Sequence, residues 1–501
     1  MDGRVVSVSL LALAVFVAFR RRRGVRGATP PGPPQIPIIG NILPVNEPWE
    51  ALRLYALQYG AFYVLRVLST NIFVVNTVEA ASELCETRWS SYSQRIPMKM
   101  PELSGMNEGI LFETNPLRLR QARRLVALGI GPRELDKYRS QLRTHVVSYL
   151  GRLLEDPDEY RRHIRNLPIS MMLEIAYGYK SQDDDDPFVL GAKTLVENYA
   201  EASSLSNYIV SQSELLVARV PSWVPGAGFQ RKAAAWKDQA NDITEKVYRF
   251  TTTSIAEDTA IPSVVSKALE SHDPYEKHVI AKSAMQMVSG GADTTISTIT
   301  TFVLAMVLYP EVQKKAQAEI DKVVGLDRLP VFGDREDLPY IDALLRELLR
   351  WHPPIPTVPR TTTKDDVYEG YFIPEGSFVL INFWAMLCNE EVFLDAKTLK
   401  PERWLGVEVT KEIDPLFIAF GFGRRECPAK VMAVELVFTV MIHMLAVFDI
   451  SKARDAQGIE ITPSETFDNG SICAPLPFPC TIKPRSVQHA QVLQQNLEAL
   501  K

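Results

Sequence analysis

The chain has 501 residues, 46% hydrophobic and 23% charged, with a formal net charge of −5. That composition is globular rather than disordered, and the slight negative charge gives no bulk attraction to nucleic acid. Its five cysteines, Cys85, Cys388, Cys427, Cys473 and Cys480, form neither a disulfide framework nor a zinc-type pattern with histidine, which suits a reducing compartment.

Residues 5–19, VVSVSLLALAVFVAF, are uncharged and are followed at once by Arg20, Arg21, Arg22 and Arg23. At about 1.5 Å per residue the run is shorter than the roughly 30 Å hydrocarbon layer, but flanking arginines snorkel and bilayers thin. The positive cluster follows the apolar run and no small-x-small site separates them, so a membrane anchor fits better than a cleaved signal peptide. Positive charge prefers the cytosolic side, which puts the rest of the chain in the cytosol. Residues 29–41, TPPGPPQIPIIGN, cannot continue a helix; they read as a stiff spacer, or taken alone as a partner-binding proline motif. The expected division is an anchor and basic flank at 1–23, a proline-rich hinge at 24–41 and one large domain at 42–501, since no later linker supports a further split.

Residues 61–76 are rich in β-branched and aromatic side chains around a polar turn and predict a hairpin. From about residue 79 the pattern is largely helical, interrupted by a long loop at 93–109. Residues 117–126, LRLRQARRLV, carry four arginines, compatible with a solvated basic face. The acidic run at 181–187 reads as an exposed loop. In 217–237, Trp223 and two prolines precede a basic helix.

Residues 278–309 predict one helix of about 45 Å stopped by Pro310. Its centre, GGADTT, places Gly290 and Gly291, each costing about 1 kcal/mol relative to alanine, beside Asp293 and Thr294 in a buried segment. A kink with the threonine bonded back to the chain is one reading. Residues 338–354 predict an amphipathic helix with Glu347 and Arg350 on one side, and PERW follows at 401–404. Between them lie alternating apolar strands with a Glu-Gly turn. Residues 420–430, FGFGRRECPAK, then open into an apolar helix. Cys427 is expected at the helix N-terminus, with Pro428 in its first turn and Arg424 and Arg425 alongside, an arrangement that favours the thiolate. A small buried hydrophobe is the plainer reading of such a cysteine.

The pattern F-x-x-G-x-R-x-C, carried by Phe420, Gly423, Arg425 and Cys427, resembles the haem-binding signature of the cytochrome P-450 monooxygenases, with Ala429 where the family usually has glycine. The resemblance implies a mainly α fold with small β-sheets, one large catalytic domain behind an N-terminal anchor, and haem b with Cys427 as the axial iron ligand. It makes GGADTT the oxygen-handling motif, with Asp293 and Thr294 relaying protons. Glu347, Arg350 and Arg403 become a buried triad that locks the cysteine loop. Arg123, in a W-x-x-x-R motif whose tryptophan is replaced by Leu119, and Arg360 become propionate partners. Met287, Gly290, Gly291, Thr357, Val358 and Ile472 would line the substrate pocket, the loop at 93–109 would cover it, and 217–237 would be a lid touching the membrane.

The implied activity is insertion of one oxygen atom from O2 into a C–H bond of an apolar small molecule, in the manner of fungal microsomal enzymes of secondary metabolism acting on terpenoid, polyketide or indole scaffolds. No dinucleotide fingerprint is evident, so NADPH would act through a separate NADPH–cytochrome P-450 reductase. Arg120, Arg124 and Lys430 are candidate docking charges, and the implied location is the endoplasmic reticulum membrane. A haem-thiolate isomerase or dehydratase, and a non-catalytic haem sensor or carrier, are the other readings; both have less use for Asp293 and Thr294.

Overall fold

The computed structural model describes residues 27–68, 70–182, 185–203, 228–271 and 275–500. The anchor expected at 1–23 and the part of the expected lid before residue 228 lie outside them. Among the described residues the fold is mainly α. The helices of ten residues or more are α1 (Pro48–Tyr59), α2 (Pro116–Ile130), α3 (Leu135–Glu155), α4 (Tyr160–Tyr177), α5 (Pro187–Ala202), α6 (Gly228–Ala256), α7 (Lys277–Leu308), α8 (Pro310–Val324), α9 (Pro339–Trp351), α10 (Lys430–Val447) and α11 (Val487–Glu498).

The hairpin expected at 61–76 is β1 (Phe62–Val67) with β2 (Thr70–Val75), paired antiparallel with Phe62 opposite Val75. A second hairpin, β4 (Asp366–Tyr368) with β5 (Tyr371–Ile373), turns at Glu369 and Gly370, both at positive φ. Strands β3 (Thr357–Thr361) and β6 (Phe378–Asn382) complete a four-stranded sheet in the order β1-β2-β6-β3, in which β2 and β6 run parallel. A three-stranded sheet has the order β8-β7-β9, from β7 (Phe448–Arg454), β8 (Glu460–Ile461) and β9 (Cys480–Pro484).

Helix α7 runs through the centre and packs most extensively on α4, and also on α2, α5 and α10. Pro310 stops it because it cannot donate to the preceding turn and its ring obstructs helical continuation. Among the described residues, α7 and α10 are long and apolar enough to cross a membrane, yet both are mostly buried among neighbouring elements and act as core helices. An apolar surface all round is what a fully packed helix needs.

Three segments differ from expectation. The proline stretch does not stand off as a spacer: the Val64 N–H donates to the Pro31 carbonyl at 2.9 Å and the Leu68 N–H to the Ile39 carbonyl at 2.7 Å. Asn41 adds a side-chain bond to the Pro34 carbonyl at 3.0 Å and accepts the Arg66 N–H at 2.8 Å. Prolines cannot donate, but their carbonyls accept, so the stretch lies along the edge of β1. The loop at 93–109 contains a short helix, Lys99–Leu103, tethered by buried Met100 and Met106. The last aspartate of the acidic run, Asp186, is buried rather than solvated; it caps α5 by accepting the Phe188 and Val189 N–H groups.

Candidate active site

The cysteine loop closes on itself, with the Cys427 N–H on the Phe420 carbonyl at 2.8 Å. Gly423 has φ +63°, and a β-carbon there would lie 2.2 Å from the Cys85 carbonyl oxygen. The loop is therefore seated on the backbone of a single π-helical turn, Glu83–Thr87, at a contact only glycine allows. The expected thiolate environment needs correction. Helix α10 begins at Lys430, so Cys427 and Pro428 precede its first turn. Arg424 stacks on the Trp89 ring, 3.2 Å from its centroid. Arg425 donates to the carbonyls of Ser93, Ile110 and Glu113 at 2.8, 3.1 and 2.6 Å. Burial pushes the Cys427 thiol up, and the Ala429 N–H and the Arg123 charge only oppose that. A bound cation would favour the thiolate at this position.

Arg123, Arg360 and Arg425 converge with a residue that the sequence pattern does not single out, Arg95. Arg360 is 1% exposed. Burial, with Arg360 and Arg425 next to it, holds the Arg95 guanidinium well below the usual range, and its Nε has no hydrogen-bond partner. Burial lowers Arg360, and burial with Arg360 and Arg123 nearby lowers Arg425 to about 10. Arg123 is lowered by burial and donates to the Glu426 carbonyl at 2.9 Å. Among the described residues none of the four makes an ion pair. Buried like charges without an anion are costly, and a bound dianion would offset that cost. The sequence signal for Arg95 is weak: one arginine in a long loop.

Across from the loop stands the centre of α7. A cavity there is bounded by Thr294, Thr295 and Thr298 on one side and by Phe420, Ala433 and Val434 on the other. The Thr294 hydroxyl donates to the Gly290 carbonyl at 3.0 Å, the back-bonded conformation. Asp293 is pushed up to about 6 by burial and by the charges of Asp468 and Glu197. The two glycines differ: a β-carbon on Gly290 would meet nothing within 4 Å, whereas one on Gly291 would come within 3.1 Å of the Met172 side chain. The open side of the helix is at Gly290, and Gly291 is a packing contact with α4.

Met287 is buried, with its terminal methyl 3.4 Å from where a β-carbon on Gly129 of α2 would stand. It is a core contact rather than part of this cavity's lining. Thr357, Val358 and Ile472 are half-buried and do not line the cavity either. The loop carrying Ile472 packs on α7, with the Ser297 hydroxyl on the Cys473 carbonyl and the Cys473 N–H on the Pro354 carbonyl at 2.8 Å.

Glu347 is fully buried and collects five donors. Arg350 gives two, at 2.9 and 2.8 Å, Arg403 one at 3.0 Å, and the Lys400 N–H one at 2.9 Å. The fifth is the Trp404 indole N–H at 2.9 Å, a partner that the E-x-x-R spacing does not indicate. Arg350 also holds the Leu387 and Ala396 carbonyls at 3.0 and 2.8 Å. The network thus joins α9 to the 387–404 segment and makes no direct bond to the cysteine loop.

The Cytochrome P450 family profile matches residues 30–477. Cytochrome P450 monooxygenase 208 of Postia placenta is 37% identical over 97% of this chain and 95% of its own length. Cytochrome P450 monooxygenase claR of Ampulloclitocybe clavipes is 34% identical over 98% and 93%, and the tryptamine 4-monooxygenase of Psilocybe cyanescens 35% over 96% and 98%. The family's haem fits what the structure offers. A cluster of guanidinium groups without an ion-pair partner suits two propionates, and the thiol of the half-buried Cys427 on the neighbouring loop suits a ligand to iron. The chain belongs to the cytochrome P450 family and is a monooxygenase.

Proposed function

We propose that this enzyme is anchored in the endoplasmic reticulum membrane and hydroxylates an apolar small molecule of secondary metabolism, drawing electrons from NADPH through a separate reductase. The observation that carries the site assignment is the group Arg95, Arg123, Arg360 and Arg425, the last two buried and the first two half-buried, with no ion pair among the described residues, beside the loop of Cys427. Those arginines would hold the propionates and Cys427 would bind the iron. When bound, the haem supplies oxygen activation and C–H oxidation.

The chain's own work is to exclude water, orient and deliver protons. Phe420, Ala433, Val434 and Val437 give the cavity apolar walls opposite Thr294, Thr295 and Thr298. Asp293, with its proton affinity raised to about 6, can take and release a proton near neutral pH. Thr294 Oγ offers lone pairs while its own proton rests on the Gly290 carbonyl. Rotating away from that carbonyl would free the proton for transfer.

The test is the reduced carbon monoxide spectrum of the purified enzyme, which should show the red-shifted Soret band of a thiolate-ligated haem and lose it in Cys427→Ser. With reductase and a panel of terpenoid, polyketide and indole scaffolds, product should form only with NADPH. Turnover without NADPH would instead support an isomerase or dehydratase.

A further inference from the structure

Helix α10 borders two cavities. One lies on its Ala433, Val434 and Val437 face, toward Thr294. The other, of about 270 Å³, lies on its Glu435, Phe438 and His443 face and is flanked by α3 and the turn Phe332–Asp337. Much of its wall is apolar, from Leu142, Phe332, Phe438 and Ile442. Into this setting come three buried polar atoms with no hydrogen-bond partner: Nε of Arg139, Nε of Arg143 and Nε2 of His443. His443 is 1% exposed. Its Nδ1 meets the Thr439 carbonyl at 2.8 Å, and a carbonyl only accepts, so the ring proton is on Nδ1 and Nε2 is a bare acceptor. Burial keeps the imidazole neutral by lowering its pKa to about 4. Arg143 is steadied by Asn496 at 2.7 Å, and Arg139 stacks on Phe332, 3.1 Å from the ring centroid.

Each orphaned buried group costs about 1–3 kcal/mol. Arg139 has the Glu435 carboxylate of the same wall 4.0 Å from its Nε and Asp136 at its other end, whereas nothing in the wall satisfies Nε of Arg143 or Nε2 of His443. We propose that this cavity is a second small-molecule site, on the side of α10 away from Thr294, for a phenol. A phenolic hydroxyl accepts from a guanidinium N–H and donates to Nε2 of His443, while its ring fills the space beside Phe332 and Phe438. A carboxylate lacks the proton that Nε2 of His443 requires. A hydrocarbon leaves Nε of Arg143 and Nε2 of His443 bare. Water satisfies the polar atoms and leaves the aromatic wall uncovered.

The experiment uses the haem-loaded full chain with its iron saturated by 4-phenylimidazole, so that the haem face is occupied. Binding of 4-fluorophenol is followed by fluorine NMR. One equivalent should bind saturably, at least about tenfold more weakly in His443→Phe and in Arg143→Met, with unchanged carbon monoxide spectra. Fluorobenzene should bind at least about tenfold more weakly than 4-fluorophenol. The proposal is overturned by absence of saturable binding, by binding that 4-phenylimidazole displaces, by equal affinity in Arg143→Met, or by fluorobenzene binding as tightly. If His443→Phe does not fold, the half-exposed Arg143 position decides the matter.

Discussion

Gly421 and Gly423 stand two residues apart at φ +84° and +63°, yet their surroundings are unlike. A β-carbon on Gly421 would find its nearest neighbour, the Phe383 ring, at 3.7 Å, so alanine there costs only the left-handed backbone term of about 1–2 kcal/mol. At Gly423 the obstacle is the Cys85 carbonyl, which belongs to the backbone and cannot move aside. Gly421→Ala should retain most haem and a thiolate-type carbon monoxide spectrum, whereas Gly423→Ala should lose both; equal retention would contradict the seating of the loop on Cys85. Asp293 gives a second test at this scale. Its acid group is raised from 3.8 to about 6, so the folded chain keeps a proton that the unfolded chain releases. Stability should therefore fall as pH rises through that window, by about 3 kcal/mol in total at 1.36 kcal/mol per pKa unit. Asp293→Asn removes the dependence, and the difference between the two denaturation curves should grow from near zero at about pH 3.5 to its full value above pH 6. A flat difference would show that Asp293 is solvated. What a sequence conceals at this scale is direction: Arg424 and Arg425 adjoin Cys427 in the chain, but one stacks on Trp89 and the other reaches carbonyls of the 93–113 region.

Helix α9 is an element whose sequence alone defines most of it. Its apolar spacing, Pro339 at the start and the prolines after His352 mark it locally, and the i, i+3 relation brings Arg350 onto Glu347. Trp404 joins through a contact with no local signature, as Arg95 joins Arg360, because such meetings are made by tertiary packing of segments far apart in the chain. The central helix is legible for the same local reason, whereas the distinction between an open Gly290 and a packed Gly291 depends on where Met172 of α4 lies. The Glu347 network also predicts a cost. Replacing the carboxylate by an amide leaves Arg350, itself 0% exposed, without its charge partner, and breaking a buried pair in this way costs about 3–5 kcal/mol. Glu347→Gln should lower the chemical unfolding midpoint and release haem at lower denaturant than wild type. Arg403→Lys, at a more exposed position, should cost far less; similar losses in both variants would mean that Arg403 carries as much of the network as Arg350.

At the scale of the whole molecule, the chain continues beyond the family profile's match at 477 into α11, whose role is structural. Ser486 caps it by accepting the His489 N–H, and Val492, Leu493 and Leu497 recur at helical spacing, a signal present in the sequence but hidden behind the turn-rich stretch that precedes it. Leu493 is fully buried and Val492 nearly so. Leu497 lies close against Gly151 of α3, where a β-carbon would come within 2.8 Å of it. Asn496 holds Arg143 from the same face. Arg485, just before the helix, is fastened separately to Asp321 at 2.6 and 2.8 Å, so a chain ending at Ser486 keeps that ion pair and loses only the helix. Burying an aliphatic side chain contributes about 1.5–3 kcal/mol, and the truncation removes two buried ones, Val492 and Leu493, and uncovers the face of α3 they pack on. The shortened enzyme should be destabilised by about 3–6 kcal/mol in chemical denaturation while retaining its haem spectrum at low temperature, because α11 packs mainly on α3, with lesser contacts to α10 and β9. Unchanged stability would show that α3 is held by its other neighbours, α4 and α10, alone. Loss of the haem spectrum in a chain that is still folded would show that α11 transmits its packing to the haem side of α10, through α3 or through its own contact with α10.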